Sequence, residues 1–395
     1  MPNAEVLTAP RPSFAILVAI SAIGPLAMNI LVPSMPGLEK SFAVPYGTVQ
    51  LTLTLYLIGM AVCQLIYGPA SDHFGRRPML LAGLALFFLA SVAAALATNI
   101  YFLIAARLVQ AIGGSAGIVL ARAMVRDVYS REKSASMISY VTMAFVVAPM
   151  VAPVLGGLLE QYASWRAGFW LLAALDAAVL AAAFATLPET HVNRRTTVNL
   201  GFITNAGTLM THSLFRTYAL TIAFTSAIYY AFLGGAPHLM IDIMGRTPFE
   251  YGLWFISISA TYMVANFLSG RDTQRAGLDR MIVTGNVIAL VGCLVCLAAA
   301  LTDHLTPVTL FLPVAFAGFG NGLTLPNGTA AAISVEPRMT GAAAGMAGFM
   351  QMLVGSSASQ IVGSWQDSFP SLVFWLMAAF SAAALIIHAA VFRRS

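Results

Sequence analysis

Gly68-Pro-Ala-Ser-Asp72-His-Phe-Gly75-Arg76-Arg77-Pro78 is a short charged stretch between two long apolar runs. Asp72, Arg76 and Arg77 are three charges in a chain only 9% charged. Gly68 and Gly75 permit a tight reversal, because glycine reaches backbone angles closed to other residues. Pro78 suits the first turn of a following helix. The stretch therefore predicts a hairpin joining two membrane spans, held on the inner face by its arginine pair. Asp72 lies where it either caps a helix N-terminus or pairs with an arginine.

Composition places the rest of the chain in the same solvent. Hydrophobic residues make up 59% and the mean hydropathy is +0.83, far above a soluble domain. The net charge of +5 points to a membrane surface by its distribution, and no nucleic-acid partner is expected. Cys63, Cys293 and Cys296 lie inside apolar runs and read as small hydrophobes. Cys293-Leu-Val-Cys296 has the spacing of a metal or redox pair but lacks polar flanks and a second pair. Neither a metal nor a cofactor is expected, nor a cleaved leader.

Runs of about 20 apolar residues fall at 14–33, 48–69, 78–97, 100–122, 136–159 and 167–187. They resume at 217–240, 249–269, 281–301, 307–330, 342–363 and 370–391. Twelve spans put both termini on one side. With that side inside, the inner segments hold Arg11, Arg76, Arg77, Arg122, Arg126, Arg131, Lys133, Arg194, Arg195, Arg216, Arg271, Arg275, Arg280, Arg338, Arg393 and Arg394. The outer segments hold only Lys40, Arg166 and Arg246, and Arg107 lies within a span. So strong a bias sets both termini in the cytoplasm of a plasma (inner) membrane protein. The long polar gap at 188–216 divides an N-terminal half, 1–187, from a C-terminal half, 217–395. A shift of 202 residues lays Gly68 on Gly270 and Gly75 on Gly277. Two related six-helix halves are the expected architecture.

Several intramembrane positions stand out. In span 1, Asn29 precedes Pro33-Ser-Met-Pro36, which reads either as a broken helix or as a helix end. Tyr56 offers a phenol in span 2. In span 4, Arg107 is followed at helical spacing by Gln110. A centrally buried arginine costs about 2.5–3.5 kcal/mol on insertion scales, so it faces a partner or wet cavity, or else snorkels outward. Arg126-Asp127-Val-Tyr129 lies in the loop that follows. Pro149, Pro153, Gly156 and Gly157 fall in span 5, where small residues permit close approach and proline with glycine permits a bend. Asp176 is the only acid deep in a span; burial disfavours its charged form, and its role is either functional or structural. Tyr229, Tyr230, Trp254, Phe319, Asn327, Phe349 and Gln351 supply aromatics and amides to a cavity suited to bulky amphipathic solutes; singly, each also reads as helix packing.

Gly68, Asp72, Gly75, Arg76 and Arg77, the Arg107–Gln110 pair, the Arg126-Asp127-Val-Tyr129 loop and the proline–glycine run of span 5 together resemble the major facilitator superfamily. The resemblance is to its multidrug:proton antiporters of the bicyclomycin-resistance type, and it covers residues 14 to 391. It implies alternating access, with Gly68, Asp72, Gly75, Arg76 and Arg77 as a relay tying the halves together in one conformation. It links Arg107 to proton transfer and substrate contact, and Pro149, Pro153, Gly156 and Gly157 to the antiporter motif. The partners implied are a small-molecule substrate, protons and the lipid bilayer, with the chain acting as a monomer. Such relatives carry D-x-Y-x-P-x-x-P in span 1. Here Asn29 stands for the acid, so Asp176 becomes the candidate for coupling. A metabolite or amino-acid exporter of the same fold is the alternative. A membrane enzyme finds no nucleophile–base pair in its support.

Overall fold

The computed structural model describes residues 12–129, 131–191 and 207–392, and among these the regular structure is helical, without strands. Arg11, Arg194, Arg195, Arg393 and Arg394 lie outside the described residues. The first column is α1 (Phe14–Ile30), a 3₁₀ turn (Val32–Ser34) and α2 (Met35–Phe42). Then come α3 (Tyr46–Phe74), α4 (Arg76–Ala95), α5 (Ile100–Val128), α6 (Arg131–Tyr162) and α7 (Trp165–Thr186). The second half holds α8 (Ser213–Pro237) with a π-turn (His238–Ile243), α9 (Pro248–Ala276), α10 (Leu278–Leu301), α11 (Pro307–Ser334), α12 (Thr340–Trp365) and α13 (Leu372–Phe392).

The twelve apolar runs thus become twelve columns; among the described residues, ten of them are long and apolar enough by themselves to cross a membrane. Two local expectations change. Span 1 continues to Phe42, because Pro33 and Pro36 each fall in the first two positions of a new helical segment, where a missing N–H costs nothing. The Gly68–Pro78 hairpin is almost wholly helical: α3 runs to Phe74, α4 starts at Arg76, and Gly75 alone turns the chain. Gly75 sits at φ 100°, the region that excludes a side chain. Gly68 lies within α3 with open space around it, so the reversal does not need it.

The repeat is visible in the backbone. Gly277, 202 residues beyond Gly75, joins α9 to α10 at φ 85°. Gly83 and Gly113 bring α4 against α5, where a Cβ on Gly113 would lie 2.5 Å from the Gly83 carbonyl oxygen. Gly285, again 202 beyond Gly83, brings α10 against α11 through Gly320, whose Cβ would lie 2.3 Å from the Gly285 carbonyl oxygen. Lipid removes most of the hydrophobic drive between helices, so such small-residue contacts carry much of the packing.

The halves meet mainly along α3 with α12 and α6 with α9. Side chains capping helices mark the end away from the Gly75 hairpin: Asn99 accepts from the Phe102 amide at 2.8 Å, and Thr247 from the Glu250 amide at 3.1 Å. This is called the outer end below, and the hairpin end the inner one.

Candidate functional site

The hairpin residues form one network at the inner end. The Arg76 guanidinium is 2.7 Å from the Asp72 carboxylate and 3.1 Å from that of Asp127 at the end of α5. It also donates to the Ser71 hydroxyl. Asp72 therefore pairs rather than caps. The cap comes from Glu189, whose two carboxylate oxygens accept from the backbone amides of Arg76 at 3.0 Å and Arg77 at 3.3 Å. A carboxylate there offsets the positive helix end. Thr190 donates to Asp127 at 3.1 Å, and Arg77 donates to the Phe184 carbonyl at 2.8 Å. These bonds run within the first half and the segment that leaves α7.

Arg107 is fully buried on α5. It donates to the Ala27 carbonyl at 3.1 Å and the Gln110 carbonyl at 2.5 Å, and its guanidinium lies 4.1 Å from the centre of the Tyr56 ring and 5.9 Å from that of Phe169. Gln110 passes the chain on to the Ser91 hydroxyl at 2.7 Å, and Tyr56 donates to the Gly24 carbonyl at 2.9 Å. The arginine is thus held by dipoles and ring faces, not by an acid, and it does not snorkel. Its Nε and Nη2 have no hydrogen-bond partner among the described residues. Asp176 is also fully buried, on the face of α7 that carries Phe169, Leu172 and Ala173, and both its carboxylate oxygens lack a partner among the described residues. The structure does not join Asp176 to Arg107 by a direct bond.

Span 5 explains its own composition. A Cβ on Gly156 would lie 1.9 Å from the Ile30 carbonyl oxygen, and one on Gly157 would lie 2.1 Å from that of Pro248. Conversely, a Cβ on Gly252 of α9 would lie 2.4 Å from the Pro153 carbonyl oxygen. Gly156 seats α6 on the first column, and Gly157 and Gly252 seat it on the opposite half. Pro149 and Pro153 lie on the same helix, about two turns and one turn before this contact. Polar bonds add to the outer closure. Gln50 donates to Ser359 at 2.6 Å, Thr54 to Gln360 at 2.7 Å, and Lys40 pairs with Asp242 at 2.9 Å. Lys40 and Asp242 are themselves 202 residues apart, corresponding positions of the two halves.

At mid-depth, Tyr229 of α8 donates to the Asn29 carboxamide oxygen at 2.7 Å, joining the halves. Tyr229 also packs edge-on against Tyr230 and Phe255, with centroids 5.3 and 6.2 Å away. Trp254 stacks on Phe311 at 6.0 Å, and Tyr251 and Phe232 approach the same ring. Phe349 packs against this same core. Other expected cavity residues fall elsewhere. Phe319 packs with Ala265, Met281 and Leu323, in a separate cluster of α9, α10 and α11. Asn327 donates to Ser269 at 2.8 Å and accepts from Thr273 at 2.8 Å, near the inner ends of α9 and α11. Gln351 is half-buried on α12. Phe255, Phe311 and Glu189 escaped the sequence reading. An acid directly after an apolar run, facing an arginine pair, was the available signal for Glu189.

Comparison with known proteins supplies the context. The family model described as Major Facilitator Superfamily matches residues 17–358 and 218–395. Multidrug resistance protein D of Escherichia coli is 31% identical over 336 residues, 85% of this chain and 84% of that one. The bicyclomycin resistance protein homolog of Haemophilus influenzae is 28% identical over 347 residues, 87% of each chain. Among solved structures, a D-xylose-proton symporter superposes with a TM-score of 0.74 at 16% identity, covering 95% of this chain and 96% of that one.

Proposed function

The chain belongs to the major facilitator superfamily, and from that premise we propose that it exports drugs or similar amphipathic small molecules by alternating access, with proton entry driving efflux. The names of its relatives point the same way: one is a multidrug resistance protein and another a bicyclomycin resistance homolog. The chain is a multi-pass membrane protein of transporter fold. In this reading it lies in the inner membrane as a monomer, with both termini and the 188–216 connection in the cytoplasm and the two halves at 1–187 and 217–395.

One observation carries the mechanism. Glycine-floored contacts and polar bonds close the halves at the outer end, while among the described residues the Arg76 ion pairs with Asp72 and Asp127 stay within the first half. With the basic end inside, that is an inward-facing state. The relay of Gly68, Asp72, Gly75, Arg76 and Arg77 then acts across the halves in the opposite state. Gly156 and Gly157 let the outer seal form. Solute enters the aromatic layer of Tyr229, Tyr230 and Trp254 from the inner side and leaves when the seal parts. Tyr56, Phe349 and Gln351 border the route, and Phe319 and Asn327 support the walls. Arg107 with Gln110 and the unpartnered Asp176 are the groups for coupling, since Asn29 does not titrate.

The test is efflux of a panel of antibiotics and dyes from cells expressing the protein, with and without a protonophore. Accumulation equal to that of vector controls for every compound refutes drug export. Efflux that survives the protonophore refutes the coupling.

A further inference from the structure

We propose that the Asn29–Tyr229 bond is a mid-membrane gate, broken by uncharged solutes that carry both a hydrogen-bond donor and an acceptor, such as amides and alcohols. This rests on the transporter reading above and deepens it by naming a substrate class and the group that senses it.

The placement makes the case. Asn29 lies midway along the column Phe14–Phe42, and Tyr229 midway along the column Ser213–Ile243. Among the described residues, the bond lies deeper than the other side-chain bonds joining the halves. Gln50–Ser359, Thr54–Gln360 and Lys40–Asp242 all lie closer to the outer end. Asn29 has no exposed surface. Its amide nitrogen is tied to the Pro25 carbonyl at 2.9 Å, which fixes its oxygen toward α8. Tyr229 is held edge-on by Tyr230 and Phe255, so its hydroxyl has little freedom. When the outer end opens, α1 and α8 part and both groups lose their partner. A buried polar group left unpaired is costly. A solute that accepts from the Tyr229 hydroxyl and donates to the Asn29 oxygen removes that penalty, and a solute lacking either function leaves it in place.

The gate also differs in kind from one built on an acid. A carboxamide does not titrate, and a phenol does so only near pH 10 in its reference state, so this bond does not respond to the working pH. The titratable or charged groups around position 29 are Tyr229 and Tyr230 on α8, with Tyr251 and Tyr262 of α9 beside Tyr229; Tyr56 on α3, bonded to Gly24; Arg107 on α5, bonded to Ala27; Glu160 on α6, against Gly37; and Asp176 on α7, which packs on α1. Asn29→Asp places a carboxyl among them, and its ionised form accepts a stronger, charge-assisted bond from Tyr229.

The experiment uses the full chain in nanodiscs with spin labels at Ser41 and Arg246, both exposed at the outer end. Double electron–electron resonance gives the open-to-closed ratio at pH 6 and pH 8. Tyr229→Phe is expected to raise the open fraction about fivefold, the scale of one net hydrogen bond. Asn29→Asp is expected to close the outer end further at pH 8 than at pH 6, beyond any response of the wild type. Of two solutes matched in size, octanamide is expected to open the wild type and nonane not to, with the difference lost in Tyr229→Phe. A Tyr229→Phe ratio equal to the wild type, an Asn29→Asp protein with the wild-type pH response, or equal effects of the two solutes overturns the gate. If the variants gate as expected while cells export no drug, the transport reading fails and the gate stands.

Discussion

Gly157→Ala tests the outer seal most directly. The added methyl would sit 2.1 Å from the Pro248 carbonyl oxygen, 2.7 Å from its carbon and 2.9 Å from the Phe249 Cα. Ordinary contact begins at 3.4 Å, so α6 and α9 must part by 1.3 Å there. All three atoms are backbone, and no flexible side chain absorbs the shift. Overpacking of this kind costs about 1–3 kcal/mol. The contact joins opposite halves, so the cost falls on the outward-closed state and not on the fold of either half. At about 1.4 kcal/mol per tenfold, the open-to-closed ratio rises about 5- to 150-fold. Alkylation of Ser359→Cys, a position with no exposed surface in the closed interface, by a membrane-impermeant maleimide reports that ratio. The rate should rise in Gly157→Ala relative to the Ser359→Cys background. Gly156→Ala serves as the contrast. Its clash is with Ile30 of the same half, so it should lower yield or thermal stability with a smaller change in alkylation. Gly68→Ala meets open space in this state, so it should leave yield and thermal stability unchanged. Equal alkylation rates in Gly157→Ala and its background would refute the seal.

Asp72→Asn removes a carboxylate 2.7 Å from Arg76 and should cut transport strongly while leaving membrane insertion intact; normal efflux would reduce the hairpin to a topology anchor. Glu189→Gln weakens the cap on two α4 amides, a loss of about 0.3–1 kcal/mol, so exchange of the Arg76 and Arg77 amides should quicken a few-fold by hydrogen–deuterium exchange. Arg107→Lys keeps a cation among Ala27, Gln110 and Tyr56 and should retain more efflux than Arg107→Ala; near-normal efflux in both would remove Arg107 from the mechanism. Asp176→Asn should blunt the response of vesicle transport to an imposed pH gradient, and a full response in that variant would clear Asp176 of coupling.

Much of this was legible because a bilayer enforces simple rules. Apolar runs had to become spans, and all twelve columns lie where the runs fall. The 202-residue offset, carried in sequence by Gly75 and Gly277, returns as the same backbone conformation at both. What stayed hidden depends on partners distant in sequence. Asn29 and Tyr229 are 200 residues apart, and nothing in either span announces the other. Glu189 acts on amides 113 and 112 residues earlier, a role composition cannot carry. Phe319 and Asn327 lie apart from the Tyr229 cluster, which sequence could not show, because an aromatic or an amide in a span looks the same whichever way its helix is turned. Pro33 left two readings open because a proline that ends one helix and a proline that begins the next have the same local signature; the helix is interrupted there and resumes.

The single-residue joint at Gly75 has a mechanical meaning. A longer connection would take up slack and let α3 tilt without its neighbour. Here the last residue of α3 and the first of α4 flank one glycine, and the Glu189 carboxylate grips the start of α4 from α7's exit. The two columns are geared together. At 1.5 Å per residue the 29 residues of α3 form a lever of ~43 Å. A rotation of about 10° at its outer end sweeps the hairpin through roughly 7 Å for a column of that length. With Gly277 repeating the joint in the other half, each half carries such a lever. Small adjustments at the outer seal are thereby magnified into wide travel at the opposite face of the membrane.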